Sequence, residues 1–89
     1  MGWTIEYADA AGRQLRKLNP QQRKRIMDYM DDRIATADDP RQFGEPLVGD
    51  RAGYWRFRVG DFRFISELVD NRLLVLVVKI GHRRDIYHH

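Results

Sequence analysis

The stretch Tyr54-Trp55-Arg56-Phe57-Arg58-Val59-Gly60-Asp61-Phe62-Arg63-Phe64 decides the fold of this chain. Bulky apolar residues alternate with polar ones on both sides of a Gly-Asp pair, the pattern of two half-buried strands joined by a two-residue turn. Such a turn pairs Val59 with Phe62, Arg58 with Arg63 and Phe57 with Phe64. Trp55, Phe57 and Val59 then share one face, while Tyr54, Arg56, Arg58 and Arg63 share the other. Two guanidinium groups stand opposite each other in this register, which costs some tenths of a kcal/mol up to about 1 kcal/mol. A purely structural sheet gains nothing from that repulsion. A surface that receives a polyanion does, because guanidinium forks match phosphate oxygens and stay charged at any cellular pH. The plainer reading is a solvated strand face, neutralised by Glu67 and nearby acids.

Working outward, Phe62 to Leu68 forms the second strand, Asp70-Asn71 a second two-residue turn, and Leu73 to Ile80 a third strand. The third strand is apolar on both faces from Leu73 through Val78, so it belongs in the centre of the sheet, covered on both sides. Towards the N-terminus, Trp3, Ile5 and Tyr7 alternate with Thr4 and Glu6 as a short strand. Ala8, Ala11, Leu15 and Leu18 fall on one side of a helix from about Ala8 to Leu18. Asn19-Pro20 reads as an N-cap followed by proline at the first helical position. The helix it opens runs to about Ala35, with Ile26, Met27, Met30 and Ile34 as its buried stripe. Asp38-Asp39-Pro40 ends that helix, and Arg41 to Gly53, with three glycines and one proline, reads as a loop. The fold class is α+β: an N-terminal strand, a helical hairpin, then an antiparallel three-stranded meander packed on the helices, in a single domain over residues 1–89.

Composition bounds what such a chain can be. With 43% hydrophobic and 33% charged residues it is globular rather than disordered. It has no cysteine, which removes disulfides, thiolate nucleophiles and cysteine-ligated zinc together. No stretch approaches the roughly 20 apolar residues that cross a bilayer, and the start Met1-Gly2-Trp3-Thr4 leads into polar sequence without a secretory pattern. A cytoplasmic protein with no membrane partner is expected. The net charge of +3 is unevenly spread: from Arg51 to His89 eight Arg and Lys face four Asp and Glu, so the basic excess lies in the C-terminal part.

The tail Gly81-His82-Arg83-Arg84-Asp85-Ile86-Tyr87-His88-His89 adds two arginines, three histidines and a tyrosine. A frayed polar terminus is the plain reading. The density of groups able to donate or relay protons to phosphate points instead to a site, in which His88 and His89 are given no role. Nothing in the chain implies a metal or another cofactor.

These residues carry a resemblance. Trp55-Arg56-Phe57-Arg58-Val59-Gly60-Asp61-Phe62-Arg63 resembles the W-R-x-R-x-G-x-x-R hairpin of RelE-type toxins, within the RelE/ParE superfamily. Val78-Lys79-Ile80-Gly81-His82-Arg83-Arg84-Asp85-Ile86-Tyr87 resembles the same family's closing segment, V-x-x-G-H-R-x-x-x-Y. The resemblance implies a RelE-like, microbial-ribonuclease-like fold and the toxin of a type II toxin–antitoxin pair. In the RelE branch the toxin cleaves messenger RNA on the ribosome and is silenced by a cognate antitoxin, and operator DNA is bound only by the toxin–antitoxin complex. Carried over residue by residue, the resemblance matches Arg56, Arg63, Arg83 and Tyr87 to family positions, with Arg58 a weaker match and His82 where some members have lysine. Taken with the local chemistry, catalytic roles are expected for Arg56, Arg63, His82, Arg83 and Tyr87, and RNA contacts for Tyr54, Arg58 and Arg84. His82 supplies an imidazole able to act as a base, or else caps a carbonyl at the strand end. Tyr87 stacks on a base or touches phosphate, or else closes the core edge. The chain departs from the pattern at Tyr54, where some members carry lysine, which leaves His82 or Tyr54 to replace it. Two alternatives stand beside this reading. One is the ParE branch, which inhibits DNA gyrase by binding; Arg83 and Tyr87 favour RelE over it. The other is a non-catalytic module in which the arginines only grip nucleic-acid backbone.

Overall fold

The computed structural model describes residues 2–84. Its elements are β1 (Thr4–Tyr7), α1 (Asp9–Lys17), α2 (Pro20–Tyr29), β2 (Glu45–Pro46), β3 (Tyr54–Val59), β4 (Phe62–Val69) and β5 (Leu74–His82), with short helical turns between them. The strands form one sheet in the order β1-β5-β4-β3-β2. The three long strands are the expected antiparallel meander, with β1 running parallel to β5. A parallel neighbour needs a crossover of a dozen residues or more, which the two helices supply.

The helices cover one face of the sheet, so β5 lies inside the sheet as expected but is covered on one side only, its Leu76 and Val78 being half-buried on the other. Ala11 and Leu15 of α1 and Ile26 of α2, with Met30 and Ile34 beyond it, meet Phe57, Val59, Phe64, Val75, Val77 and Ile80 from the sheet. Asn19 caps α2 as its sequence predicts, its side chain accepting from Gln22 N–H at 2.8 Å. The helix does not run on regularly to Ala35. It passes into a wider turn at Met30–Ile34, closed by Ala35 N–H donating to Met30 C=O, five residues back, at 2.8 Å. That wide turn brings both Met30 and Ile34 to 0% exposure. Met27 instead points outward, 38% exposed.

Two connections also differ from the sequence-based expectation. The turn after β4 is a helical turn at Asp70–Arg72 rather than a two-residue hairpin, and Leu73 follows it with φ 47°, so β5 starts at Leu74. A left-handed leucine is disfavoured on its own; its side chain, packed against the core, holds it there. The stretch read as a loop contains a helical turn at Pro40–Phe43, the edge strand β2 and a further turn at Gly49–Arg51. Arg41 anchors it: the guanidinium makes paired hydrogen bonds to Asp70 at 2.6 and 3.0 Å, bonds Asp39 at 3.1 Å, and lies 5.7 Å over the Trp55 ring. Among the described residues no helix is long and apolar enough to cross a membrane.

Candidate nucleic-acid interface

Gly60 sets the register of the β3–β4 hairpin. Its φ of 57° suits glycine and lets a two-residue turn close the strands. Arg58 then pairs with Arg63, Arg56 with Ile65 and Tyr54 with Glu67. On the far side of β4, Arg63 pairs with Gly81 of β5 and Ile65 with Lys79. The sheet face away from the helices therefore carries two parallel rows, Arg58–Arg63–Gly81 and Arg56–Ile65–Lys79.

The cations are held by their surroundings. Arg63 donates to the carbonyls of Gly60 and Phe62 at 2.9 and 3.1 Å, drawing its guanidinium towards the turn. Arg83 follows β5 at the same end; its backbone N–H donates to Asp61 C=O at 2.7 Å and its Nε lies 3.7 Å from the Asp61 carboxylate. Arg56 pairs with Glu45 across β2–β3. Arg25 of α2 also reaches this end, since a Cβ placed on Gly60 would lie 3.1 Å from its guanidinium. Arg58, Arg63, Arg83 and Arg25 thus converge on the hairpin tip, with Arg56 one row further in.

Beside the rows lies a cavity of about 190 Å³ lined by Arg51, Tyr54, Ile65, Val78 and Lys79. Burial, and to a lesser degree the neighbouring Arg51 charge, lower the Lys79 pKa below that of an ordinary lysine. The walls are largely apolar while both cations are donors, a combination suited to an anionic, partly hydrophobic ligand such as a nucleotide.

Of the residues singled out by sequence, the structure brings Tyr54, Arg56, Arg58 and Arg63 to one face and Arg83 to the hairpin tip. It does not bring His82 to them. His82 pairs with Phe62 and packs edge-on against its ring, 6.0 Å between centroids. It lines a separate cavity with Gln14, Lys17 and Leu18 on the helix side, and its Nδ1 accepts from Arg84 N–H at 3.2 Å. Arg84 is exposed in the turn after β5. Tyr87, like His88 and His89, lies outside the described residues. Arg25, Arg51 and Lys79 are additions made by the fold: nothing in their local sequence marks them, because each arrives from an element other than the hairpin.

A helix-backed sheet whose opposite face is lined with guanidinium groups defines a small α+β protein of the RelE-like class, and comparison with known proteins bears this out. The family model for the ParE toxin of type II toxin–antitoxin systems matches residues 5–87. The chain belongs to that toxin family, within the RelE/ParE superfamily. Toxin RelG of Mycobacterium tuberculosis is 28% identical over 87 residues, 98% of each chain. The toxin–antitoxin complex RelBE2 of the same organism aligns with a TM-score of 0.85 at 25% identity, over 96% of this chain and 95% of that one. A variant of the E. coli toxin RelE, in complex with an antitoxin peptide, aligns with a TM-score of 0.70 at 17% identity, over 92% of this chain and 84% of that one. This last likeness is one of fold.

Proposed function

We propose that this toxin is a metal-independent endoribonuclease of the RelE type, acting on messenger RNA on the ribosome and held inactive by a cognate antitoxin. The observation that carries the reading is the convergence of Arg58, Arg63 and Arg83 at one hairpin tip with Arg56 alongside. RNA supplies its own nucleophile, the 2′-hydroxyl. An enzyme must hold that oxygen in line with phosphorus, neutralise the charge that builds on the phosphoryl oxygens, and move protons. The 2′-oxygen bonds to phosphorus and the bond to the 5′-oxygen breaks, leaving a 2′,3′-cyclic phosphate and a 5′-hydroxyl. Arg58 and Arg63 fix and neutralise the phosphate, with Arg56 on the adjoining linkage. Arg83, in the turn after β5 at the hairpin tip, stabilises charge on the leaving oxygen, while Tyr54 and Arg84 contact flanking nucleotides.

Antitoxin silencing is supported by the solved relative RelBE2, which is a toxin–antitoxin complex. Operator binding belongs in this reading to the toxin–antitoxin complex. The second reading, inhibition of DNA gyrase, has support in the ParE name of the matching family model.

Expression in growing cells separates them. Wild type is expected to arrest growth with translated messages cut short, and Arg63→Ala and Arg83→Ala to grow normally with intact messages. Arrest with intact messages and altered plasmid supercoiling would transfer the assignment to gyrase.

A further inference from the structure

A β-bulge decides which face Lys79 occupies. Val75 and Val77 are fully buried against the helices, and unbroken alternation along β5 would send Lys79 the same way. Ser66 pairs with Val77 and Ile65 with Lys79, however, so Val78 is an extra residue with no partner of its own on β4. An extra residue of this kind re-aims the side chains that follow it. Lys79 turns to the arginine face beside Ile65, and Ile80, 1% exposed, returns to the core.

The consequence is a lysine set against a gap. In the row Arg58–Arg63–Gly81 the last position carries no side chain, which lets a phosphate approach the backbone next to Arg63. Lys79 is two residues from Gly81, about 6.6 Å along the strand, well within the span of a lysine side chain. Guanidinium groups do not give up protons in proteins, and His82 faces the helices. On the basis of the ribonuclease reading above, we propose that Lys79 is a catalytic residue of this site, the group that takes the 2′-hydroxyl proton. The uncharged amine accepts that proton as the 2′-oxygen bonds to phosphorus. The electron pair of the breaking bond leaves on the 5′-oxygen, which takes a proton from water, and the ammonium later returns its proton to solvent.

The surroundings favour an amine that can lose its charge. Lys79 is partly desolvated and faces Arg51 across the cavity, and both effects lower its pKa. Arg56 and Tyr54 from β3 and Arg63 from β4 lie on the same face. Among the described residues, Glu45, engaged by Arg56, and Glu67, one row further along beside Tyr54, are carboxylates on this face.

The test is single-turnover cleavage of ribosome-bound message by the purified full chain across pH, with binding measured on the same complexes. Lys79→Arg keeps the charge but cannot exchange the proton. It is expected to bind within a few-fold of wild type, to cleave about 100-fold or more slowly, and to lose the rise of rate with pH. Lys79→Ala is expected to recover cleavage with added primary alkylamines, in proportion to their uncharged fraction. Thermal melts check that both variants fold. A Lys79→Arg protein that cleaves like wild type with the same pH profile overturns the proposal and leaves the ribonuclease reading standing. A wild type that binds the ribosome and cuts nothing overturns both.

Discussion

Arg58 and Arg63 stand directly opposite each other across β3 and β4, on the sheet face that the helices leave uncovered. Arg63 turns part of its charge onto the Gly60 and Phe62 carbonyls, while Arg58 is exposed. On the ribonuclease reading, the pair is a stability cost kept for binding. Arg58→Thr, which suits a strand, is expected to raise unfolding free energy by some tenths up to about 1 kcal/mol. The same change should weaken binding to single-stranded RNA and reduce the slope of log K against log salt by about 0.7, one phosphate contact. Urea melts and salt-dependent binding of one purified variant check both halves; weaker binding with an unchanged salt slope would remove the phosphate contact.

The hairpin was legible because its register depends on local chemistry: a glycine able to take positive φ, a two-residue turn and uninterrupted alternation. The central place of β5 was legible from its apolar run. Lys79 and His82 were not, because a single unpaired residue, Val78, exchanges the faces of everything after it. No side chain at Val78 announces this; it comes from pairing with β4, a non-local fact. The edge strand β2 was equally hidden, since two residues, one of them Pro46, carry no period. Arg25 and Arg51 enter the site from α2 and from the turn before β3, distances that only the tertiary fold closes.

Gly44 is held to its identity by space rather than by backbone angle. A Cβ there would lie 2.8 Å from Phe57 Cε1 and 3.1 Å from the Arg56 carbonyl, and Phe57 is 1% exposed. Gly44→Ala must displace a core ring or the β2–β3 pairing. It is expected to cost about 1–3 kcal/mol, read as a lower urea midpoint with unchanged slope. A midpoint within error of wild type would mean that β2 sits further from the core than the structure places it.

Asp70 ties the corner after β4 to Arg41, and the paired hydrogen bonds hold its carboxylate below its ordinary pKa. A depressed folded-state pKa means that the stabilisation is present above the unfolded-state value and lost as pH falls through the folded one. Wild type should therefore lose stability on acidification below about pH 4, and Asp70→Asn should be less stable near neutrality with a flatter acid limb. The same variant should release the segment that Arg41 anchors, seen as faster amide exchange from Gln42 to Gly53. Equal acid limbs in the two proteins would exclude the pair as a source of pH dependence.

Tyr7 poses the opposite case. Its hydroxyl is buried without a hydrogen-bond partner among the described residues. Burial, with a smaller contribution from Asp31, pushes its pKa up to about 12. A raised folded-state pKa gives stability that is complete below the unfolded value near 10 and is lost as pH climbs towards the folded one. Removing the hydroxyl relieves an unsatisfied buried group, so Tyr7→Phe should equal wild type or exceed it by up to about 1 kcal/mol at neutral pH. Above about pH 10 its advantage should widen, because only wild type must bury a phenol that the unfolded chain would ionise. Urea melts at about pH 7 and about pH 10.5 give the comparison. A neutral-pH loss of more than about 1 kcal/mol would mean that the hydroxyl has a partner whose bond contributes to the fold.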